Sequence, residues 1–136
     1  VAAIADYRPT NFSKTKHKKS ERNLKIEFQR GDDILKTVSE KYKNVFTVGF
    51  AAETNDIDDN ALYKLKEKKL DVVVGNIANH EKKLGFESDY NEVIVFSDTK
   101  KLKIKKDRKI NVAIKIISFV KNEYLKNISL VKKDVR

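Results

Sequence analysis

The chain has 136 residues, 40% of them hydrophobic and 37% charged, with a net charge of +10 and no cysteine. That length suits one domain with a single core, and the absent cysteines exclude disulfides, thiolate metal sites and a cysteine nucleophile. His17 and His80 are the only imidazoles and stand far apart in sequence, which argues against a histidine metal centre or a serine–histidine triad. No apolar run approaches the roughly 20 residues of a membrane-spanning helix, and no export signal opens the chain, so cytoplasm is the default location. The charge raises nucleic acid as a partner. However, the basic residues are nearly all lysine and the aromatics are not clustered, whereas nucleic-acid readers favour arginine forks and stacking rings.

In chain order, residues 1–5 read as a short apolar strand already under way. Residues 6–22 read as a polar loop, because Pro9 stops a ladder and the lysines repel one another. Residues 23–29 alternate apolar and polar, as a strand with one wet face does, and Gly31 ends it. Asp32 or Asp33 is placed to cap a helix that turns Ile34, Leu35 and Val38 inward. Residues 45–51 read as a strand buried on both faces. The segment 54–56 is expected to cap a helix reaching about Lys69, with aspartates in its first turn and lysines in its last, as the dipole favours.

Residues 70–75 form another apolar strand. Residues 91–96 and 101–104 alternate around Asp98 and Thr99, which predicts a hairpin. From Lys109 a last helix is expected to place Ile110, Ala113, Ile114 and Ile117 on its inner stripe. Its start is very basic (Lys105, Lys106, Arg108, Lys109), against the dipole. The expected tail, 124–136, is weakly patterned and weakly ordered.

This order predicts an α/β fold, a Rossmann-like three-layer arrangement whose sheet is partly parallel with an antiparallel edge hairpin. Ligands of such sheets sit beyond the carboxyl ends of the parallel strands. The segments there are Asp6 onward, residues 50–54, and Gly75 with Asn76.

At these segments the sequence is similar to a known family. AIADYRP at 3–9, KHKK at 16–19, DIL at 33–35 and VGFAAET at 48–54 closely resemble phosphopantothenate–cysteine ligase. LDVVVGN at 70–76, GFESD at 85–89 and Asn91 add to the resemblance, which runs from Val1 to about Ile117 in order. In most bacteria this activity is the carboxy-terminal half of a bifunctional flavoprotein of coenzyme A biosynthesis.

The resemblance implies a two-step ligation in which 4′-phosphopantothenate is activated by CTP to an acyl-cytidylate and cysteine then displaces CMP. Magnesium would accompany the triphosphate, ATP is the alternative nucleotide, and FMN is expected only if a decarboxylase half is fused upstream. By motif, Lys16 matches the catalytic lysine of a mobile flap. Asp6, Asp32, Asp33, Ile34, Phe50, Lys64 and Lys68 match nucleotide-contacting positions, and no residues are assigned as metal ligands. The resemblance further implies a homodimer. It leaves out a glycine-rich segment that the family carries upstream, so the chain is expected to be the carboxy-terminal part of a synthetase domain, with that part or a fused decarboxylase as partner.

The residues themselves leave alternatives open. Lys64 and Lys68, at i and i+4, share a helix face and suit a polyphosphate, or are ordinary solvated lysines. Phe50 is a nucleotide wall or plain core. Asp6 accepts from an amino or hydroxyl donor, or shapes a turn. Asn76 orients substrate or caps its loop, and Gly49 would let backbone approach a ligand. Two departures stand out: Gly31-Asp32 replaces the family's Asn-Pro, adding a carboxylate near a triphosphate, and His17 replaces an aliphatic residue in the flap. A nucleotide-binding or dimerisation module without chemistry is the second reading, and a basic nucleic-acid-binding protein the third.

Overall fold

The computed structural model describes residues 5–11, 25–53, 56–77 and 88–134. The expected strand 1–5 and the flap lysines 14–19 fall outside these, apart from Ala5. The elements are β1 (Tyr7–Pro9), β2 (Phe28–Arg30), α1 (Ile34–Lys41), β3 (Val48–Glu53), α2 (Ile57–Glu67), β4 (Val72–Ile77), β5 (Tyr90–Phe96), β6 (Lys101–Arg108) and α3 (Lys109–Asp134). The sheet runs β3-β4-β5-β6, with β3 and β4 parallel and the later pairs antiparallel. The expected α/β layout with an edge hairpin is therefore the observed one.

Each face of the sheet carries its own core. Val72, Val74, Val93, Val95 and Ile104 pack against Val112, Ile116 and Phe119 of α3. On the other face Ala51, Val73, Ile94 and Phe96 meet Ala61, Leu65 and Leu70 from α2 and its exit. The uninterrupted valines of β4 follow from burial on both faces. Gly75 has a packing reason, since a Cβ there would meet Ile57 Cγ2 at 2.9 Å.

Several expectations change in the structure. Tyr7–Pro9, expected within the loop, pairs antiparallel with β2. Gly31 N–H donates to Asp6 O at 2.7 Å and Thr10 N–H to Glu27 O at 2.9 Å, so the amide just after Pro9 faces β2. Successive amides of a strand alternate in direction, so Pro9 lacks only a donor that would point away from its partner, which is the position a ribbon tolerates. β2 is shorter than the predicted strand and exposed throughout. β3 begins at Val48 rather than 45, and Val45 and Phe50 are exposed. Among the described residues β3 is the outer strand of the order, and the face that carries Phe50 is left partly open.

The last helix departs most. Its buried stripe is Val112, Ile116 and Phe119, while Ile110, Ile114 and Ile117 of the predicted stripe are 66%, 62% and 65% exposed. Lys105, Lys106 and Arg108 belong to β6 rather than to the helix, which runs on through Asp134. The missing favourable charge at its start is Asp107, whose carboxylate accepts from the Arg108 backbone N–H, Asn111 Nδ2 and Lys115 Nζ at 2.8 Å each. The Lys115 bond first, then those of Asn111 and Arg108, hold this carboxyl down to about 2. An unfolded aspartate titrates near 3.9, so Asp107 stabilises the fold above about pH 4 and loses that contribution as pH falls toward 2. Asp107→Asn is expected to lower the melting temperature at neutral pH and to converge with wild type near pH 2, checked by thermal melts across that range.

The outer strand β6 explains much of the basic charge. Lys101, Lys103, Lys105 and Lys106 lie along it and are exposed, and Lys101 and Lys103 pair with Asp58 and Glu92. Lysines on an outer strand discourage edge-to-edge pairing. No helix among the described residues is long and apolar enough to cross a membrane.

Candidate functional site beside the outer parallel strand

Alternation along β3 creates this site. Gly49 and Ala51 turn toward α2 and are buried, whereas Val48 and Phe50 turn toward α3. Gly49 is closely packed, since a Cβ there would lie 2.6 Å from Leu70 Cδ1 and 3.1 Å from Leu35 Cδ2, so those leucine ends would have to shift. Next to Val48 and Phe50 opens a cavity of about 670 Å³, bounded by the β1–β2 ribbon, α1 and α3. That volume falls within the range of small-ligand pockets.

Six of the residues singled out from the sequence line this one cavity: Asp6, Asp32, Asp33, Ile34, Phe50 and Lys68. They come from β1's approach, the turn into α1, α1 itself, β3 and the exit of α2. Ile34 is half-exposed rather than turned into the core, and so forms cavity wall. Lys64 stands one turn earlier on α2 and does not line the cavity, and Lys16 lies outside the described residues. Asn76 is likewise not in the lining, and its Oδ1 is buried without a hydrogen-bond partner among the described residues.

Asp33 organises the polar side. As N-cap of α1 it accepts from the Lys36 N–H at 3.0 Å, and its other oxygen meets Lys68 Nζ at 2.9 Å. Burial opposes the charged form, but the Lys36 N–H and the Lys68 ammonium together hold the carboxyl below its ordinary value. Lys36 pairs with Glu67 at 2.6 Å, and Ser39 Oγ donates to Lys68 O, so α1 is tied to α2 at several points. Lys68 sits at the end of α2, where Lys69 takes a positive φ of 51° and Leu70 N–H returns to Leu65 O at 2.9 Å. This αL stop fixes where Lys68 leaves the helix, and the helix accordingly ends short of the expected Lys69. At the other end of α2, Asp56 is the N-cap residue but makes no side-chain capping bond.

Asp33→Asn keeps a capping oxygen and removes the charge that Lys68 answers. The expected loss of stability is below about 1 kcal/mol, as for a half-exposed ion pair, against about 1 kcal/mol more for Asp33→Ala, which also removes the cap. Urea titrations of the two variants would separate these contributions.

Arg30 was not singled out from the sequence. It lines the cavity at the end of β2 and makes no ion pair among the described residues. Lys68 is engaged by Asp33, so among the described residues Arg30 is the cation of the cavity lining without an ion pair. The signal in the sequence was a lone arginine next to Gly31 in a lysine-rich chain, which is too weak without the ribbon that aims it. The apolar wall contributed by Val48, Leu35, Val38, Ile116 and Val120 was equally invisible. Among the described residues, no cluster of three or more acidic or imidazole groups could cage a metal ion.

Comparison with known proteins agrees with the fold. Residues 1–124 match the family model described as DNA/pantothenate metabolism flavoprotein C-terminal domain. The Coenzyme A biosynthesis bifunctional protein CoaBC of Bacillus subtilis is 39% identical over 118 residues, covering 86% of this chain and 29% of that protein. Its counterpart in Haemophilus influenzae is 34% identical over 128 residues, covering 93% and 32%. A crystal structure of the C-terminal domain of a CoaBC protein superposes with a TM-score of 0.60 at 30% identity, covering 98% of this chain and 53% of that domain. The chain thus spans about a third of these curated relatives and about half of the solved domain.

Proposed function

Since this chain belongs to the DNA/pantothenate metabolism flavoprotein C-terminal domain family, we propose that the cavity beside β3 holds the nucleotide of a phosphopantothenate–cysteine ligation in coenzyme A biosynthesis. The observation that carries this reading is the convergence of Asp6, Asp32, Asp33, Ile34, Phe50 and Lys68 on one cavity. In the reaction, a carboxylate oxygen of 4′-phosphopantothenate attacks the α-phosphorus of CTP and pyrophosphate leaves. The cysteine amine then attacks the acyl carbon, loses a proton, and CMP departs with the bonding pair.

The chain's residues divide this work. Phe50 and Ile34 give the base and ribose an apolar wall, and ionised Asp6 accepts from a nucleotide amino or hydroxyl group. Arg30 offers a planar fork to a phosphate, and Lys68, with Lys64 one turn away, adds positive charge along the same side. Asp32 and Asp33 would repel a bare triphosphate. Magnesium fits here as an ion carried mainly by phosphate and water, consistent with scattered rather than clustered carboxylates; it would neutralise charge on the triphosphate. Lys16, on the flap, is the assigned cation for the transition state.

Coverage of about half the solved domain supports a second reading, in which the chain binds nucleotide without turnover of its own. Calorimetry with CTP, ATP and a short DNA duplex is the test. Magnesium-dependent CTP binding that weakens in Lys68→Ala supports the site, and product formation from 4′-phosphopantothenate and cysteine then separates ligase from binding module. Absence of nucleotide binding, or salt-sensitive duplex binding in its place, overturns the proposal.

A further inference from the structure

Asp71 belongs to the motif at 70–76, yet the nucleotide reading gives it no work. It lies just ahead of β4, at the end of the sheet away from Asn76. One of its carboxylate oxygens accepts from the Thr47 N–H at 2.7 Å and from the Thr47 hydroxyl at 3.0 Å. The other accepts from Asn127 Nδ2 at 3.1 Å. Asp71 therefore joins the entries of β3 and β4 to the later turns of α3. Two further contacts fall in the same stretch of the helix. The Phe46 and Tyr124 rings meet edge to face at 5.5 Å, and Lys100, in the β5–β6 turn, pairs with Glu123 at 3.8 Å.

These links matter because the core stops short of them. Beyond Phe119 no described residue of α3 is buried, and Tyr124 and Leu125 are about half exposed. The attachment of these turns to the sheet accordingly leans on the contacts at 123, 124 and 127. Val120 lies about two turns before Asn127. With Ile116 and Ile117 it is the share of α3 in the wall of the cavity that Phe50 also lines. A helix is stiff over that length, so what fixes Asn127 fixes Val120 as well. We propose that Asp71 and Asn127 are a positioning pair, which holds α3 to the sheet and thereby sets the apolar wall of the cavity. Neither residue lines the cavity, so both act through the helix rather than on a ligand. Only the effect on CTP affinity rests on the nucleotide reading.

The chain has no tryptophan, so Phe50→Trp makes the cavity wall report on itself by fluorescence. In that background Asn127→Asp sets two carboxylates against each other. Quenching of the tryptophan by acrylamide is expected to rise, and amide exchange over residues 121–129 to quicken about tenfold or more, with the β4 amides unchanged. Asn127→Ala, which only deletes the bond, should shift both readouts less and in the same direction. Asp71→Asn combined with Asn127→Asp reverses the pair. The amide at 71 then still offers its oxygen to Thr47 and donates to the carboxylate at 127. Both readouts should return to those of the parent chain, a rescue that general loss of stability would not give. With Phe50 in place, CTP affinity should fall about threefold or more in Asn127→Asp and recover in the double variant. Quenching unchanged by Asn127→Asp, or raised alike in the single and double variants, overturns the proposal, and so does equal CTP affinity in all three chains. Quenching shifted and rescued as expected, in a chain that binds no CTP at all, upholds the pair and sinks the nucleotide reading alone.

Discussion

Lys16→Gln is expected to lower formation of phosphopantothenoylcysteine by about 100- to 1,000-fold, as removal of one preorganised donor to developing charge does, while CTP affinity changes by only a few-fold. Lys16 lies in the basic run 14–19, where charge alone suggested a nucleic-acid arm. The task proposed for it, by resemblance to the family's flap lysine, is narrower. The pentacoordinate α-phosphorus and departing pyrophosphate carry more localised negative charge than bound CTP. A cation placed to meet that developing charge stabilises the transition state more than the ground state. The replacement glutamine keeps length and hydrogen bonding and removes only the charge. CTP affinity by calorimetry and product formation from 4′-phosphopantothenate and cysteine are the two measurements, and equal losses in both would overturn the assignment.

Phe50→Ala is expected to weaken CTP binding by about 10- to 100-fold, the equivalent of an aromatic side chain's burial at about 1.5–3 kcal/mol. Stability should change by less than about 0.5 kcal/mol, as for a surface substitution. The contrast follows from the placement of the ring, which is 56% exposed and turned into the cavity, while its neighbours Gly49 and Ala51 are buried against α2. A core phenylalanine would show the reverse, with several kcal/mol lost on truncation to alanine. Phe50→Leu should recover part of the affinity by restoring apolar area without the flat ring. A large stability loss with unchanged CTP affinity would return Phe50 to the core and remove the site's apolar wall.

Strand and helix identity was legible because local periodicity records it. The valines of β4 and the alternation around Asp98 and Thr99 require no knowledge of the rest of the chain. The candidate residues were legible only through motif likeness, since Asp6, Phe50 and Lys68 each have an ordinary structural reading in isolation. The helix-capping role of Asp33 could be anticipated from its position, but its pairing with Lys68 spans 35 positions of chain and leaves no local trace.

Periodicity misassigned α3, where Ile110, Ile114 and Ile117 hold one helical stripe and Val112, Ile116 and Phe119 another. Both satisfy the same 3.6-residue rule, so composition determined that the helix has two apolar faces, and only contact with β4, β5 and β6 decided which is core. The same holds for β3. Its sequence specifies an apolar strand with a glycine, while among the described residues the sheet order makes it an outer strand with Phe50 as cavity wall. Sequence determines which faces seek burial, because transfer from water depends on side-chain chemistry. Tertiary structure decides which of them obtain it, because enclosure depends on what packs alongside.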